Sequence, residues 1–182
     1  LDRAAIHQRE PHVNGIAGIY VPQTGIVDYK IVAKKLQESI KSMGGKVLTG
    51  EAVNKIQSVD SQIENYTTKL QLKCDLLINC AGLYSDKIAT MAGLKLDVQI
   101  IPFRGEYWLL KPQKEYLVKD LVYPVPDPAF PFLGVHFTRM VGGGLEAGPN
   151  AVLAFRREGY TRTAFNGNEL WETLRWPGLH HI

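Results

Sequence analysis

The 182-residue chain is predicted to be an α+β protein, an α/β-like part joined to a mostly antiparallel sheet, and three stretches predict it. Residues 29–43 carry helical periodicity and run through a double glycine into a strand-like segment, the order of an α/β unit. Residues 53–72 carry short apolar runs broken by polar residues, the pattern of a meander. After Gly93 the grammar changes to strand-like segments separated by Pro-rich and Gly-rich turns.

Taken in order, Gly15 to Asp28 reads as a short strand and a loop. Asp28 then caps a helix in which Val32, Leu36, Ile40 and Met43 share one face, with Lys30, Lys34, Lys35, Glu38 and Lys41 on the others. Gly44-Gly45 closes it, and residues 46–49 read as a strand. After the meander, residues 76–80 show no alternation and read as a strand buried on both faces. It passes through Ala81-Gly82 to Ser85, a candidate cap for a helix reaching Gly93. Strands are expected at 98–101, 106–110, 121–123, 133–138 and 151–155, and a last helix at 169–175 starting from Asn168.

Composition excludes several classes. Gly 17 and Pro 10 make the chain turn-rich without approaching a disordered composition. A net charge of +3, with basic residues not clustered beside exposed aromatics, gives no basis for nucleic-acid binding. No run nears the roughly 18 apolar residues of a membrane helix. Cys74 and Cys80 lack the neighbours for a metal site and are expected on one face of one strand, as small buried hydrophobes of a reducing compartment. The chain starts at Leu1 inside a polar stretch and reads as a piece of a longer protein.

Several motifs carry candidate chemistry. Gly142-Gly-Gly144-Leu-Glu-Ala147 has the letters of a dinucleotide fingerprint, but Gly148-Pro149 follows where a helix would have to open, so a hairpin turn is expected. Residues 76–91 offer free N–H groups at a helix start, as do many helices that hold no ligand. Arg104 and Glu106, two apart on one strand face with Gly105 between them, are either a carboxylate clamp or a surface pair. His136, between Val135 and Phe137, is either a hydrogen-bonded core residue or a base. Pro124, Pro126, Pro128 and Pro131 stiffen a loop that either covers a ligand or only joins strands. Arg156-Arg157 beside Glu158 reads as a solvated face.

The motifs at residues 22–28 (PQTGIVD), 79–86 (NCAGLYSD), 102–107 (PFRGEY), 123–128 (YPVPDP), 132–139 (FLGVHFTR) and 148–155 (GPNAVLAF), in that order, closely resemble the L-2-hydroxyglutarate dehydrogenase or oxidase family. These are FAD enzymes of the D-amino-acid-oxidase-like group, and the resemblance runs from about Pro11 to Pro177. It implies oxidation of a small-molecule 2-hydroxy acid, L-2-hydroxyglutarate, to 2-oxoglutarate by hydride transfer to FAD. His136 would be the catalytic base. Arg104, Tyr107 and Thr138 would bind substrate, and Val53, Ala81, Gly82 and Gly105 would approach the cofactor. Residues 28–93 would belong to the flavin lobe, residues 1–27 and 94–182 to the substrate lobe.

The family's opening G-x-G-x-x-G unit and its C-terminal flavin segment are missing from the sequence, so poor FAD binding by this piece is expected, and self-association through apolar surface left uncovered. The implied setting is cytoplasmic, with peripheral membrane contact and with oxygen or a quinone as electron acceptor. The rival readings are a flavoenzyme of the same group acting on a glycine-like amine or glycerol 3-phosphate, and a non-catalytic ligand-binding module derived from the substrate lobe.

Overall fold

A computed structural model describes residues 1–129, 132 and 134–181, so Leu133 and part of the Pro-rich loop, Phe130 and Pro131, lie outside the described residues. Two compact units share the chain: Leu1–Glu38 with Arg104–Val152, and Ser39–Phe103 with Leu153–Ile182. The sequence places its boundaries at 27/28 and 93/94, and treats everything after residue 93 as one lobe.

The first unit opens with α1 (Arg3–Arg9), where the Asp2 carboxylate accepts from the Ala5 N–H at 2.8 Å. Seven residues are too few for a periodic signal, and the sequence reading has no helix there. Helix α2 (Tyr29–Ser42) begins in this unit as expected, with Asp28 accepting from the Lys30 N–H at 2.8 Å. Its end is also as expected: Gly44 takes φ of 83° and the Gly45 N–H donates to the Ile40 carbonyl. The expected strand before it is reduced to one bridge, Asp2 to Ala17.

The sheet of this unit has the order β4-β6-β5, with β4 Phe103–Leu109, β5 His136–Arg139 and β6 Leu145–Leu153. Strands β5 and β6 are antiparallel, His136 lying opposite Gly148 and Thr138 opposite Glu146. Gly142 to Gly144 make the turn between them, Gly143 and Gly144 at φ of 89° and 103°, so the apparent dinucleotide fingerprint is a hairpin. Leu145 is fully buried and Val118 nearly so.

The segment before Leu121 is clamped from two sides. Buried Glu10 accepts the Lys119 and Asp120 N–H groups, and Arg139 donates to the Glu115, Val118 and Lys119 carbonyls. Both therefore give partners to backbone groups of a segment that lies outside any strand.

In the second unit the expected meander is present, β1 (Val53–Val59), β2 (Gln62–Thr67) and β3 (Gln71–Cys74), all antiparallel in that order. Asp60 and Ser61 turn β1 into β2 with φ of 48° and 67°, the positive values a tight hairpin requires. On β2, Glu64 meets Lys73, Tyr66 and Gln71, and the hydrogen bond from Lys73 leads in holding its carboxyl below the usual range. Helix α3 (Ser85–Met91) packs against β1. Helix α4 (Gly167–Arg175) is capped by Asn166, which accepts from the Asn168 and Glu169 N–H groups, two residues earlier than expected.

Three expected strands, at 46–49, 76–80 and 98–101, are not paired with any other strand among the described residues. Leu76 and Ile78 are each 74% exposed, so the segment expected to be buried on both faces is buried on neither. A buried parallel strand exists only between two others, and apolar content alone does not supply them. Cys80 is exposed for the same reason, and Cys74 ends β3 half-buried, where it accepts from the Asn65 amide at 3.3 Å. Ser85 is the first residue of α3, not its cap; its hydroxyl donates back to the Gly82 carbonyl. Arg157, expected in solvent, is 5% exposed.

Candidate active site

Strand alternation sorts the candidate residues by face. On β4, Gly105 and Tyr107 share a face. A methyl group on Gly148 would lie 2.7 Å from Tyr107 Cδ1, so the Tyr107 ring covers the bare backbone of β6 directly opposite His136. Tyr107 meets His136 edge-on, the ring centroids 6.2 Å apart at 76°. Thr138 is two residues along β5 on the same face, opposite Glu146. The three strands thus bring Tyr107, His136 and Thr138 together.

Tyr123 completes this cluster. Its ring stacks on His136 at 4.6 Å and 23°, and its hydroxyl lies 3.5 Å from Thr138 Oγ1. His136 is 6% exposed, with Nδ1 3.0 Å from the Gly134 carbonyl. A carbonyl only accepts, so Nδ1 carries the proton and the lone pair of the neutral ring falls on Nε2. Burial pushes the Tyr107 hydroxyl above its ordinary range, and Glu146 and Tyr123 add to this, so it stays a neutral donor at physiological pH.

Arg104 is placed differently. It lies on the opposite face of β4 from Tyr107, where its Nη2 donates to Glu106 Oε1 at 2.7 Å. The Arg–Glu spacing seen in the sequence is therefore a formed ion pair within the strand. Tyr123 and Thr138 also stand in the wall of a cavity of about 610 Å³ formed with residues 25–30, Leu121 and residues 139–142.

Of the residues expected near a cofactor, Gly105 is in the first unit, and a methyl group there would come within 3.1 Å of Pro149 Cβ and 3.2 Å of Tyr107 Cε2. Val53, at the head of β1 opposite Thr67, and the exposed Ala81-Gly82 turn belong to the second unit. Gly82 has φ of 54°, and a Cβ there would meet nothing within 4 Å. What FAD needs at its pyrophosphate is a strand turning through glycines into a helix N-terminus, and the described residues do not build one. The Gly142–Gly144 run is a hairpin, and α3 follows a 3₁₀ turn rather than a paired strand.

Tyr123 and Glu146 are the residues of this cluster that sequence reasoning did not assign to a site. Tyr123 opens a motif the sequence makes visible, but only the Val122–Phe137 bridge, with N–H to carbonyl distances of 3.1 and 2.9 Å, lays its ring on His136.

The family model described as FAD dependent oxidoreductase matches residues 1–176. The chain belongs to that family. Among curated proteins it is 58% identical over 174 residues to an L-2-hydroxyglutarate dehydrogenase of Indibacter alkaliphilus, covering 95% of this chain and 44% of that protein. The mitochondrial L-2-hydroxyglutarate dehydrogenase of Homo sapiens is 44% identical, over 96% of this chain and 40% of the relative. That of Escherichia coli K12 is 39% identical, over 100% and 43%. The chain thus spans less than half the length of these relatives. Among solved structures, L-proline dehydrogenase from P. horikoshii superposes with a TM-score of 0.70 at 19% identity, covering 100% of this chain and 48% of that one, which establishes a shared fold. As a member of the FAD dependent oxidoreductase family, the chain combines helices with antiparallel sheets as the sequence predicts, and no described helix is long and apolar enough to cross a membrane.

Proposed function

We propose that the chain is part of an FAD-dependent enzyme that oxidises L-2-hydroxyglutarate to 2-oxoglutarate, and that the first unit, with the β4-β6-β5 sheet, supplies its substrate side. The observation that carries this reading is the Tyr107, His136, Thr138 cluster on one sheet face, within a chain whose relatives bear that dehydrogenase name. The oxidation removes a hydride from C2 and a proton from the C2 hydroxyl, and the flavin is the hydride acceptor in such chemistry. His136 is assigned the proton. Its Nδ1 is occupied by Gly134, which leaves Nε2 as the accepting atom. Tyr107 and Thr138 line the site with a neutral donor and a hydroxyl, which suits an anionic substrate.

Arg104 is the proposed carboxylate ligand, and because it is paired with Glu106 on the face of β4 away from Tyr107, that role requires it both to leave Glu106 and to reach round this edge strand to the substrate. Val53, Ala81, Gly82 and Gly105 are proposed to contact FAD once the rest of the family fold supplies the pyrophosphate site. The unpaired Cys74 and Cys80 suit a cytoplasmic setting, with an oxygen or quinone acceptor outside this chain.

The test is turnover by the full open reading frame that contains this chain. L-2-Hydroxyglutarate is expected to bleach the flavin and yield 2-oxoglutarate, while the D-enantiomer, sarcosine and glycerol 3-phosphate leave it oxidised. Bleaching by one of the last two alone transfers the reading to another substrate class.

A further inference from the structure

We propose that Tyr123 is a positioning residue for His136, fixing the plane of the imidazole that faces substrate. The proposal rests on the reading of His136 as the proton acceptor, and its geometric part can be measured apart from that reading.

Three observations carry it. The rings are stacked at 4.6 Å and 23°, which sets the Tyr123 ring against one face of the imidazole. Tyr107 closes a second side edge-on at 6.2 Å, and the Nδ1 bond to Gly134 fixes rotation about the ring axis. The Tyr123 ring is itself held from its backbone. Val122 is bridged to Phe137, the neighbour of His136, by two hydrogen bonds, and the chain just upstream is clamped by Glu10 and Arg139. Each clamp uses a long polar side chain to satisfy backbone groups of residues 115–120, so the approach to Tyr123 has little freedom. A base whose accepting atom must meet a hydroxyl within hydrogen-bond reach gains from such a fixed plane, because misplacement by about 1 Å can lower a rate about 10²-fold.

The stack asks for an aromatic ring and not for the hydroxyl, since among the described residues Tyr123 Oη makes only a long 3.5 Å contact, to Thr138. This separates positioning from a direct chemical role for the phenol.

The experiment uses the full open reading frame with labelled histidine rings, the His136 signals being assigned by their loss in His136→Asn. Ring-proton shifts of His136 are expected upfield from the face-on ring current, unchanged in Tyr123→Phe, and displaced toward those of exposed histidines in both Tyr123→Leu and Tyr123→Met. In steady-state assays with melting temperatures measured in parallel, Tyr123→Phe is expected to keep kcat within about twofold, and the two aliphatic variants to lose about tenfold or more in kcat with KM nearly constant. His136 shifts that are the same in Tyr123→Leu and wild type overturn the positioning. Equal kcat in Tyr123→Leu and Tyr123→Phe overturns its catalytic value. A wild type that does not oxidise L-2-hydroxyglutarate removes the functional reading, and the shifts still decide the stack.

Discussion

Arg157 and Asp86, 71 positions apart in sequence, meet in the second unit as a buried bidentate ion pair, Nη1 to Oδ1 and Nη2 to Oδ2 each at 2.6 Å. The same guanidinium donates to the Leu83 carbonyl, the Arg157 N–H to Glu169, and Asp86 also accepts from the Lys87 and Ile100 N–H groups. Burial raises the Asp86 carboxyl, but the Arg157 hydrogen bonds and the two amides outweigh it, and the net shift is downward from 3.8. A depressed folded value contributes stability that is complete above the unfolded value and lost as pH falls through the folded one. Denaturant midpoints are therefore expected to hold from pH 7 to about 5 and to fall below about pH 4, with that acid component absent in Asp86→Asn. Arg157→Leu strands a buried carboxylate and should lose about 3–5 kcal/mol at pH 7. A loss below about 1 kcal/mol contradicts this account.

Gly148 and Tyr107 make a second testable contact. A Cβ on Gly148 would lie 2.7 Å from Tyr107 Cδ1 and 2.9 Å from the Glu106 carbonyl oxygen, and the backbone atom has no rotamer by which to move aside. Gly148→Ala is expected to destabilise the first unit by about 1–3 kcal/mol and to raise KM for the hydroxy acid by displacing Tyr107. Gly82→Ala is the contrast: its Cβ meets nothing within 4 Å, so the penalty there is only that of φ at 54°.

These contacts also show what the sequence made legible. The 29–43 helix was visible because Val32, Leu36, Ile40 and Met43 recur on one face and a glycine pair ends it. The meander was visible because turn residues punctuate it. Arg157 was not, since nothing in Arg156-Arg157-Glu158 reveals that Asp86 lies opposite, and a charge is buried only where a distant partner is delivered to it. Residues 76–80 failed in the opposite sense: their apolar content marks them for a sheet interior, and strand character waits on neighbours that pair with them. In the site, His136 and Tyr107 were legible from their motifs, while the face that separates Arg104 from Tyr107 follows from strand alternation.

The apolar face of α2 and residues 76–78 bear on solution behaviour. Leu36, on the same helix face as Val32 and Ile40, is 61% exposed, and Met43, just past the end of α2, is 76% exposed. This chain, purified alone, is expected to elute above its 20.3 kDa mass at micromolar concentration. Leu36→Lys with Met43→Lys should shift elution toward the monomer. A monomer in light scattering without those changes refutes the expectation.

Flavin retention is a separate question from apolar exposure. The described residues provide a hairpin where the sequence mimics a dinucleotide fingerprint, and a seven-residue α3 behind a 3₁₀ turn. The 182-residue chain is therefore expected to purify without the visible absorbance of bound oxidised flavin. A full complement of bound FAD would show that these residues suffice for the cofactor.

His136 carries the sharpest prediction about the chemistry. With Nδ1 held by Gly134 and one face covered by Tyr123, only Nε2 is left to take a proton. His136→Asn keeps a polar group of similar reach but cannot act as a base near neutral pH. In the full open reading frame it is expected to lower kcat for L-2-hydroxyglutarate by about 10²–10⁴-fold while flavin content stays within a few per cent of wild type. His136→Gln should behave alike, because neither amide accepts the hydroxyl proton. If the imidazole serves only to fill the core between Tyr107 and Tyr123, both variants lower the melting temperature and leave the turnover of the surviving folded enzyme near that of wild type. Turnover per flavin, measured beside the melting curve, separates the two.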